Sequence, residues 1–290
     1  MALLKKSGCK INLLLNILGR RPDGFHELET VMQPVPLWDE IEFARAGGTI
    51  ELTCDQPGLA CDGSNLVVRA AQAFREAAGL DSGVKLHLRK RIPMEAGLGG
   101  GSGNAATTLL GLNELFGQPL TLEQLSLLAA SLGSDVAFFL QSGPALATGR
   151  GEHVEPLAQF GRLQKLSLVL LHPGFGISTP WAYKHLAEFP ADLNGRPGRA
   201  RELVRVLASD EPSAPWGQML YNSLEAPAFA KYPILRIYVE AFKELGSVGA
   251  LMSGSGSTVF AWFERRANAE QAIEVCRARF GPAFWSAVLS

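Results

Sequence analysis

Residues 10–18 alternate in steps of two: Ile11, Leu13, Leu15 and Ile17 fall on one face, and Lys10, Asn12, Leu14 and Asn16 on the other. That period predicts a β-strand and sets Lys10 and Asn12 side by side. Val84, Leu86 and Leu88 alternate in the same way. Further strands are predicted at residues 41–43, 49–53, 166–171, 249–252, 259–263 and 285–289, with Gly47-Gly48 as the turn of a hairpin between the first two. The period lengthens elsewhere. Ala105, Leu109, Leu112 and Phe116 recur at helical spacing over residues 104–116. Leu66, Ala70, Ala73, Phe74 and Ala77 do so over residues 65–78, with Ser64 as the N-cap and Gly79 as the stop. Thr121 and Gln124 form a capping box opening a helix that ends at Gly133. Residues 181–188, 234–245 and 267–280 complete the helices, and residues 192–201, rich in Pro, Gly and Arg, are expected at the surface.

Helices and strands mix in both halves of the chain, which predicts an α+β protein rather than a doubly wound sheet. At 290 residues and 47% hydrophobic content there is material for one large domain or two ordinary ones. The small, glycine-rich stretch 144–152 suggests a boundary near Pro156, giving domains 1–156 and 157–290. A net charge of −1 gives no footprint for nucleic acid or an anionic membrane. Arg89-Lys90-Arg91 reads as a solvated strand end or a rim attracting phosphate. Cysteines 9, 54, 61 and 276 have no metal-binding spacing and read as reduced. With no leader pattern and no run of about 20 apolar residues, the expectation is a cytoplasmic protein.

The strand at residues 84–88 runs toward Pro93-Met94-Glu95-Ala96-Gly97-Leu98-Gly99-Gly100-Gly101-Ser102-Gly103-Asn104, which holds five glycines in the seven residues 97–103. Such a stretch can turn its N–H groups inward, and it discharges onto the N-terminus of the helix that follows. Orphan N–H groups and the positive end of the helix dipole make that a phosphate site. Gly101 is read as a position of positive φ, where a β-branched side chain would block close backbone approach. Gly101-x-Gly103-x-x-Ala106 fits a loose dinucleotide fingerprint, but residues 89–93 separate it from its strand. The chain has no Gly-Lys dipeptide, which excludes a Walker A loop.

The pattern Pro-x-x-x-Gly-Leu-Gly-Gly-Gly-Ser-x-Asn-Ala-Ala resembles the phosphate loop of the GHMP small-molecule kinases. Gly133-Ser134-Asp135-Val136-Ala137-Phe138-Phe139 and Met252-Ser253-Gly254-Ser255-Gly256-Ser257 resemble two further motifs of that family, and the order is kept. With Lys10-Ile11-Asn12-Leu13 and Arg21-Pro22-Asp23-Gly24-Phe25-His26, the likeness runs from about Lys10 to Phe263. It is strongest to the branch that phosphorylates the 2-hydroxyl of a cytidine-diphosphate-linked methylerythritol on the non-mevalonate route to isoprenoid precursors. The resemblance implies an N-terminal α+β domain bearing the glycine loop, a C-terminal ferredoxin-like domain, and a site in the cleft between them.

It also implies roles. Asp135 becomes the base and Lys10 its cationic neighbour; residues 93–104 and Asn65 take ATP; Asn12, Phe25, His26, Thr179 and Tyr183 take the acceptor, with Phe25 and Tyr183 on opposite faces of the cytosine. Mg²⁺ accompanies the ATP without a dedicated protein site, Ser102 being one possible contact. Three positions depart from the family pattern: Phe25 stands where tyrosine is common, Ala137 where proline is usual and Gly103 where serine is frequent. Each residue also has a bland alternative: Lys10 as an edge-strand lysine, Asp135 as a helix cap or ion pair, Tyr183 as helix core. Another GHMP kinase, of the homoserine or mevalonate type, shares the cradle but would lack Phe25-His26 after its turn. A catalytically dead nucleotide-binding regulator would not need both Lys10 and Asp135, and a structural interaction protein leaves the three glycine motifs unexplained. The chain is expected as a monomer or homodimer.

Overall fold

The structure is a computed structural model and describes residues 3–209 and 215–290. Two long strands lead it, β1 (Leu3–Arg20) and β2 (His26–Ala46). The contacts group the chain into two compact units. One comprises the chain up to Lys10 with Val35–Met94 and Gly99–Ser142; the other comprises Ile11–Pro34, Glu95–Leu98 and the chain from Gly143 onward. A single cut near Pro156 is therefore not how the contacts divide. The reason is the length of the two strands, 18 and 21 residues, each contributing to both units.

In the first unit, β3 (Ile50–Cys54), α1 (Leu66–Ala77) and β4 (Gly83–Arg89) form a crossover, with β3 and β4 parallel and β4 antiparallel to the second half of β2. The expected hairpin at Gly47-Gly48 is not made, because β4 lies between the two strands it would have joined. Asn65 rather than Ser64 caps α1, its side chain accepting from the Val67 N–H. The buried face of α1 is Val67, Val68, Ala70, Ala71 and Phe74, rotated from the expected one but sharing Ala70 and Phe74. It packs with Ile41, Phe43, Leu86 and Leu88 of the sheet and with Ala105, Leu109 and Leu112 of α2 (Gly100–Leu115). Thr121 and Gln124 form the predicted reciprocal cap of α3 (Leu122–Leu132), which ends at Gly133.

In the second unit, β5 (Ala145–Gly149) pairs with Leu28–Met32 of β2 and with β6 (His153–Pro156), so the stretch read as a glycine-rich connection carries two strands. Next come β7 (Ser167–His172), α4 (Thr179–His185), α5 (Pro190–Leu193), α6 (Arg199–Ala208), β8 (Tyr221–Asn222), α7 (Glu225–Lys231), α8 (Pro233–Glu244), β9 (Gly249–Met252), β10 (Val259–Phe263), α9 (Arg266–Phe280) and β11 (Trp285–Leu289). The order β11-β7-β10-β9 is antiparallel throughout, and α8 and α9 supply Leu235, Val239, Phe242, Ala269 and Ile273 to its core. The surface stretch expected at 192–201 is only partly exposed. The Glu29 carboxylate draws it in, accepting from the N–H groups of Gly198 and Ala200, and Ala200 is fully buried.

The strand pattern at residues 10–18 holds, with one addition. The polar face is buried as well: Lys10, Asn12 and Asn16 are all 3% exposed or less. Buried polar groups need partners. Asn12 Nδ2 donates to Thr30 Oγ1 at 2.8 Å, and Asn16 Nδ2 donates to Glu29 Oε1 at 2.9 Å and to Arg196 O at 2.8 Å. All four cysteines are free thiols. Among the described residues no helix is long and apolar enough to cross a membrane.

Candidate active site

The helix α2 starts inside the glycine run, at Gly100, rather than at Asn104. Its cap is Gly99, in the left-handed region at φ +68, and the Gly103 N–H donates to Gly99 O at 2.9 Å to close the first turn. The N–H groups of Gly100, Gly101 and Ser102 thus stand at the positive end of the helix with no acidic residue in the first turn. Gly101 is helical, not left-handed, and a side-chain carbon there would meet only Leu66 Cδ1 at an ordinary 3.7 Å. The positions that demand glycine are three others, and at one of them, Gly103, a side-chain carbon would lie 2.3 Å from Gly8 O. Gly97 has φ +73, and a side-chain carbon there would lie 2.0 Å from Ser253 O; at Gly99 it would lie 3.1 Å from Lys10 Cε and 3.2 Å from the Phe139 ring.

Lys10 and Asp135 come together. Nζ of Lys10 is 3.2 Å from Asp135 Oδ2; the lysine side chain is 4% exposed, the aspartate 38%. Asp135 lies two residues ahead of a short 3₁₀ helix, Ala137–Leu140, and after the turn at Gly133, so its carboxylate faces Lys10 from a fixed backbone. The cation, a half-open carboxylate and the Gly99 backbone are thereby gathered in one unit.

Several residues of the loop are held by networks the sequence did not announce. Asp39 is fully buried and accepts from Lys90 Nζ at 2.5 Å, Asn104 Nδ2 at 3.0 Å, and the N–H groups of Arg91 and Ile92 at 2.7 and 2.9 Å. Asn104 Nδ2 also donates to Ser7 Oγ at 2.8 Å, and its Oδ1 accepts from Lys90 at 3.3 Å, so this side chain is turned into the core. The basic run is accordingly not a phosphate rim: Lys90 pairs with Asp39, Arg89 with Glu40 and Glu42, and Arg91 with Asp55. Arg91 and the Lys90 N–H hold the Asp55 carboxyl below the usual aspartate range, the backbone contact being the larger cause. A buried aspartate 44 residues before the strand that leads into the glycine loop carries no pattern by which sequence could find it. In the loop itself Ala96 and Leu98 are buried, Pro93 and Ser102 half-buried and Met94 exposed. Glu95 adopts φ +51, rare for a side chain with a Cβ, and lies against Gly176. Asn65 Oδ1 is engaged in its cap and Nδ2 donates to Ala60 O at 2.6 Å.

The expected acceptor residues lie in the second unit. The His26 and Tyr183 rings sit 5.2 Å apart at 38°, and burial with the charge of Arg20 lowers the His26 pKa. Phe25, half-exposed at 53%, carries the Arg150 guanidinium 4.7 Å above its ring. Tyr183 thus has His26 as a ring neighbour. Thr179 Oγ1 and Ser255 Oγ are 2.9 Å apart, and the Asn12 N–H donates to Ser253 Oγ at 3.3 Å. Arg150 is a cation at this end that the sequence reading missed. Among the described residues no group of three or more His, Cys, Asp or Glu is gathered as a metal site.

A phosphate-ready helix end, a glycine loop and a lysine–aspartate pair, carried on this α+β fold, define a small-molecule kinase. The family models agree: "GHMP kinases N terminal domain" matches residues 65–143 and "GHMP kinases C terminal" matches residues 207–282. The chain belongs to the GHMP kinase family. Within it, the chain is 42% identical over 288 residues to the 4-diphosphocytidyl-2-C-methyl-D-erythritol kinase of Prosthecochloris aestuarii, covering 96% of each. A crystal structure of 4-(cytidine 5'-diphospho)-2C-methyl-D-erythritol kinase superposes with TM-score 0.77 at 34% identity, covering 99% of both chains. Homoserine kinase from Cytophaga hutchinsonii reaches the same TM-score, 0.77, at 18% identity over 100% of this chain and 94% of its own, which shows the fold alone.

Proposed function

We propose that this protein transfers the γ-phosphoryl group of ATP to the 2-hydroxyl of 4-diphosphocytidyl-2-C-methyl-D-erythritol, in the cytoplasm. The observation that carries the chemistry is the Lys10–Asp135 pair at 3.2 Å with Gly99 against the lysine stem. Asp135 orients the acceptor hydroxyl and takes its proton as the oxygen attacks phosphorus, while the bridging oxygen leaves with the nucleoside diphosphate. Lys10 offsets charge gathering on the transferred group. The N–H groups of Gly100 to Ser102 cradle the phosphates. A cradle that a side chain at Gly99 would fill, with no acid in the first helical turn, fits a triphosphate. Mg²⁺ would neutralise phosphate charge, with Ser102 at the start of α2 as the side chain that would contact it.

Fold likeness does not choose the acceptor, since the homoserine kinase superposes equally well. What supports the cytidine acceptor is the 42% identity to the Prosthecochloris relative together with the aromatic end, Phe25, His26 and Tyr183. The test is ATP turnover against a panel of acceptor alcohols including the cytidine compound, with cytidine and uridine diphosphates as competitors. Phe25→Ala should raise the acceptor KM and leave that of ATP alone, because base stacking on an aromatic contributes about 1–3 kcal/mol. Failure of cytidine diphosphate to compete, or turnover of homoserine or mevalonate instead, overturns the assignment.

A further inference from the structure

The segment Tyr221-Asn222-Ser223-Leu224-Glu225 carries none of the family motifs described above, yet it makes a specific set of bonds. Asn222 is 2% exposed, and its Nδ2 donates to two carbonyls at once, Met252 O and Gly254 O, both at 2.8 Å. Its Oδ1 accepts from the Leu224 N–H at 2.9 Å, so the amide is fully engaged and its orientation is fixed. Glu225 Oε1 accepts from the Met252 N–H at 2.8 Å. The platform is itself anchored: β8 pairs with β1 through Leu14 and Leu15, and Ser223 bonds Leu15 O and the Ile17 N–H.

The strand end that Asn222 grips has two outlets. Toward the nucleotide side, Ser253 Oγ donates to Gly97 O at 2.9 Å and the Thr258 N–H donates to Ala96 O at 3.1 Å, fixing the head of the phosphate loop. Toward the acceptor side, Ser253 Oγ accepts from the Asn12 N–H and Ser255 Oγ meets Thr179 Oγ1. Phosphoryl transfer needs the attacking oxygen, the phosphorus and the leaving oxygen nearly in line. A group that holds the piece touching both sides governs alignment rather than either affinity.

We propose that Asn222 is a positioning residue for phosphoryl transfer, setting residues 252–255 so that the loop head at Ala96 and Gly97 and the acceptor residues Asn12 and Thr179 keep one arrangement within the second unit. This rests on the kinase reading above. The test compares wild type with Asn222→Asp, which keeps the Leu224 contact but turns a carboxylate toward two carbonyls, and with Ser253→Ala, which breaks the same path further along. Each is measured for Mg·ATP affinity and stoichiometry by calorimetry, and for kcat per nucleotide-binding site. Expected is a fall in kcat of about 100-fold, the order that a misplacement near 1 Å costs, with ATP affinity within about threefold of wild type and stoichiometry unchanged. Because both changes act through one segment, the double variant should lose far less than the product of the single losses. If Asn222→Asp does not fold, Asn222→Ser read in the same cycle with Ser253→Ala decides. A kcat per site within threefold of wild type, or multiplicative losses in the double variant, overturns the inference. A wild-type protein that binds Mg·ATP but phosphorylates none of the panel overturns the acceptor reading and leaves the cycle to be read on ATP hydrolysis; one that binds no nucleotide overturns both.

Discussion

Asp39→Ala should be among the most damaging single changes in this chain. It removes a fully buried carboxylate that four donors share, and it leaves the Lys90 ammonium, itself only 6% exposed in its side chain, without its counter-ion. Stranding one member of a buried ion pair costs about 3–5 kcal/mol. The N–H groups of Arg91 and Ile92 and the Asn104 amide lose their acceptor as well, each a further buried group short of a partner. Against whole-protein stabilities of roughly 5–15 kcal/mol, that loss takes much of what holds the first unit folded. Urea unfolding followed by circular dichroism, fitted transition by transition, gives the number. Adding Lys90→Met to Asp39→Ala should recover the part due to the stranded charge and leave a residual about 1–3 kcal/mol for the unpaired donors. Destabilisation below about 1 kcal/mol, or no recovery in the double variant, would refute the network as described.

Asp135→Asn and Lys10→Ala should each keep nucleotide affinity and lower turnover about 10²–10⁴-fold, the range of general-base contributions; near-normal turnover in either takes that residue out of the mechanism. Gly99→Val should abolish nucleotide binding in a folded protein, since it forces a β-branched residue to φ +68 against Lys10 and Phe139, whereas Gly101→Val on the open helix surface should be milder; equal calorimetric affinities for the two variants would count against this loop geometry. Burial pushes the Glu225 carboxyl up to about 7 from 4.5, so the fold favours its protonated form, and the stability it contributes is full below pH 4.5 and lost as pH rises through 7. Glu225→Gln should flatten that slope, worth about 3 kcal/mol across the window. The difference between variant and wild-type melting curves is the quantity to read, because burial lowers the His172 pKa and tilts its contribution the other way, lost as pH falls; parallel curves would remove the effect.

What the sequence made legible was periodicity and motif. The strands at 249–252, 259–263 and 285–289 fall as predicted because each is a β-rich run bounded by turn residues. The Lys10–Asp135 pair was reached through family motifs, since the two lie 125 positions apart and no spacing rule joins them. The errors have physical causes. Gly47-Gly48 carries a hairpin's turn signal, but α1 returns β4 into the place that the hairpin partner would take. Of Arg89-Lys90-Arg91, read as a solvated strand end, the Arg91 side chain is 61% exposed and the Arg89 side chain 38%, but Lys90 is buried because the fold brings it to Asp39, which charge in sequence could not show. Asn65, expected as a nucleotide contact, has a structural role that the sequence reading gave to Ser64: it caps α1 and donates to the Ala60 carbonyl.

The phosphate loop is a better guide to how this chain works than its glycine content suggests. Glycine run out in a loop is costly to order, since each residue gives up backbone freedom when a ligand fixes it. Here little is left to order. Ala96 and Leu98 are buried at 3% and 1%, Gly97 is pressed onto Ser253, and Gly99 onto Lys10 and Phe139. The glycines at 97 and 99 therefore serve close approach, since a side chain would collide with Ser253 O at the first and with Lys10 and Phe139 at the second. Residues 95–98 take their contacts from the 252–258 stretch, while the residues from Gly99 onward take theirs from β1, Lys90 and Asp39. A cradle fixed in advance binds phosphate without spending that binding energy on its own ordering. On the function proposed above, the N–H groups at residues 100–102 would be aimed before a nucleotide arrives, which is the condition under which fixed dipoles stabilise a transferring phosphoryl group most.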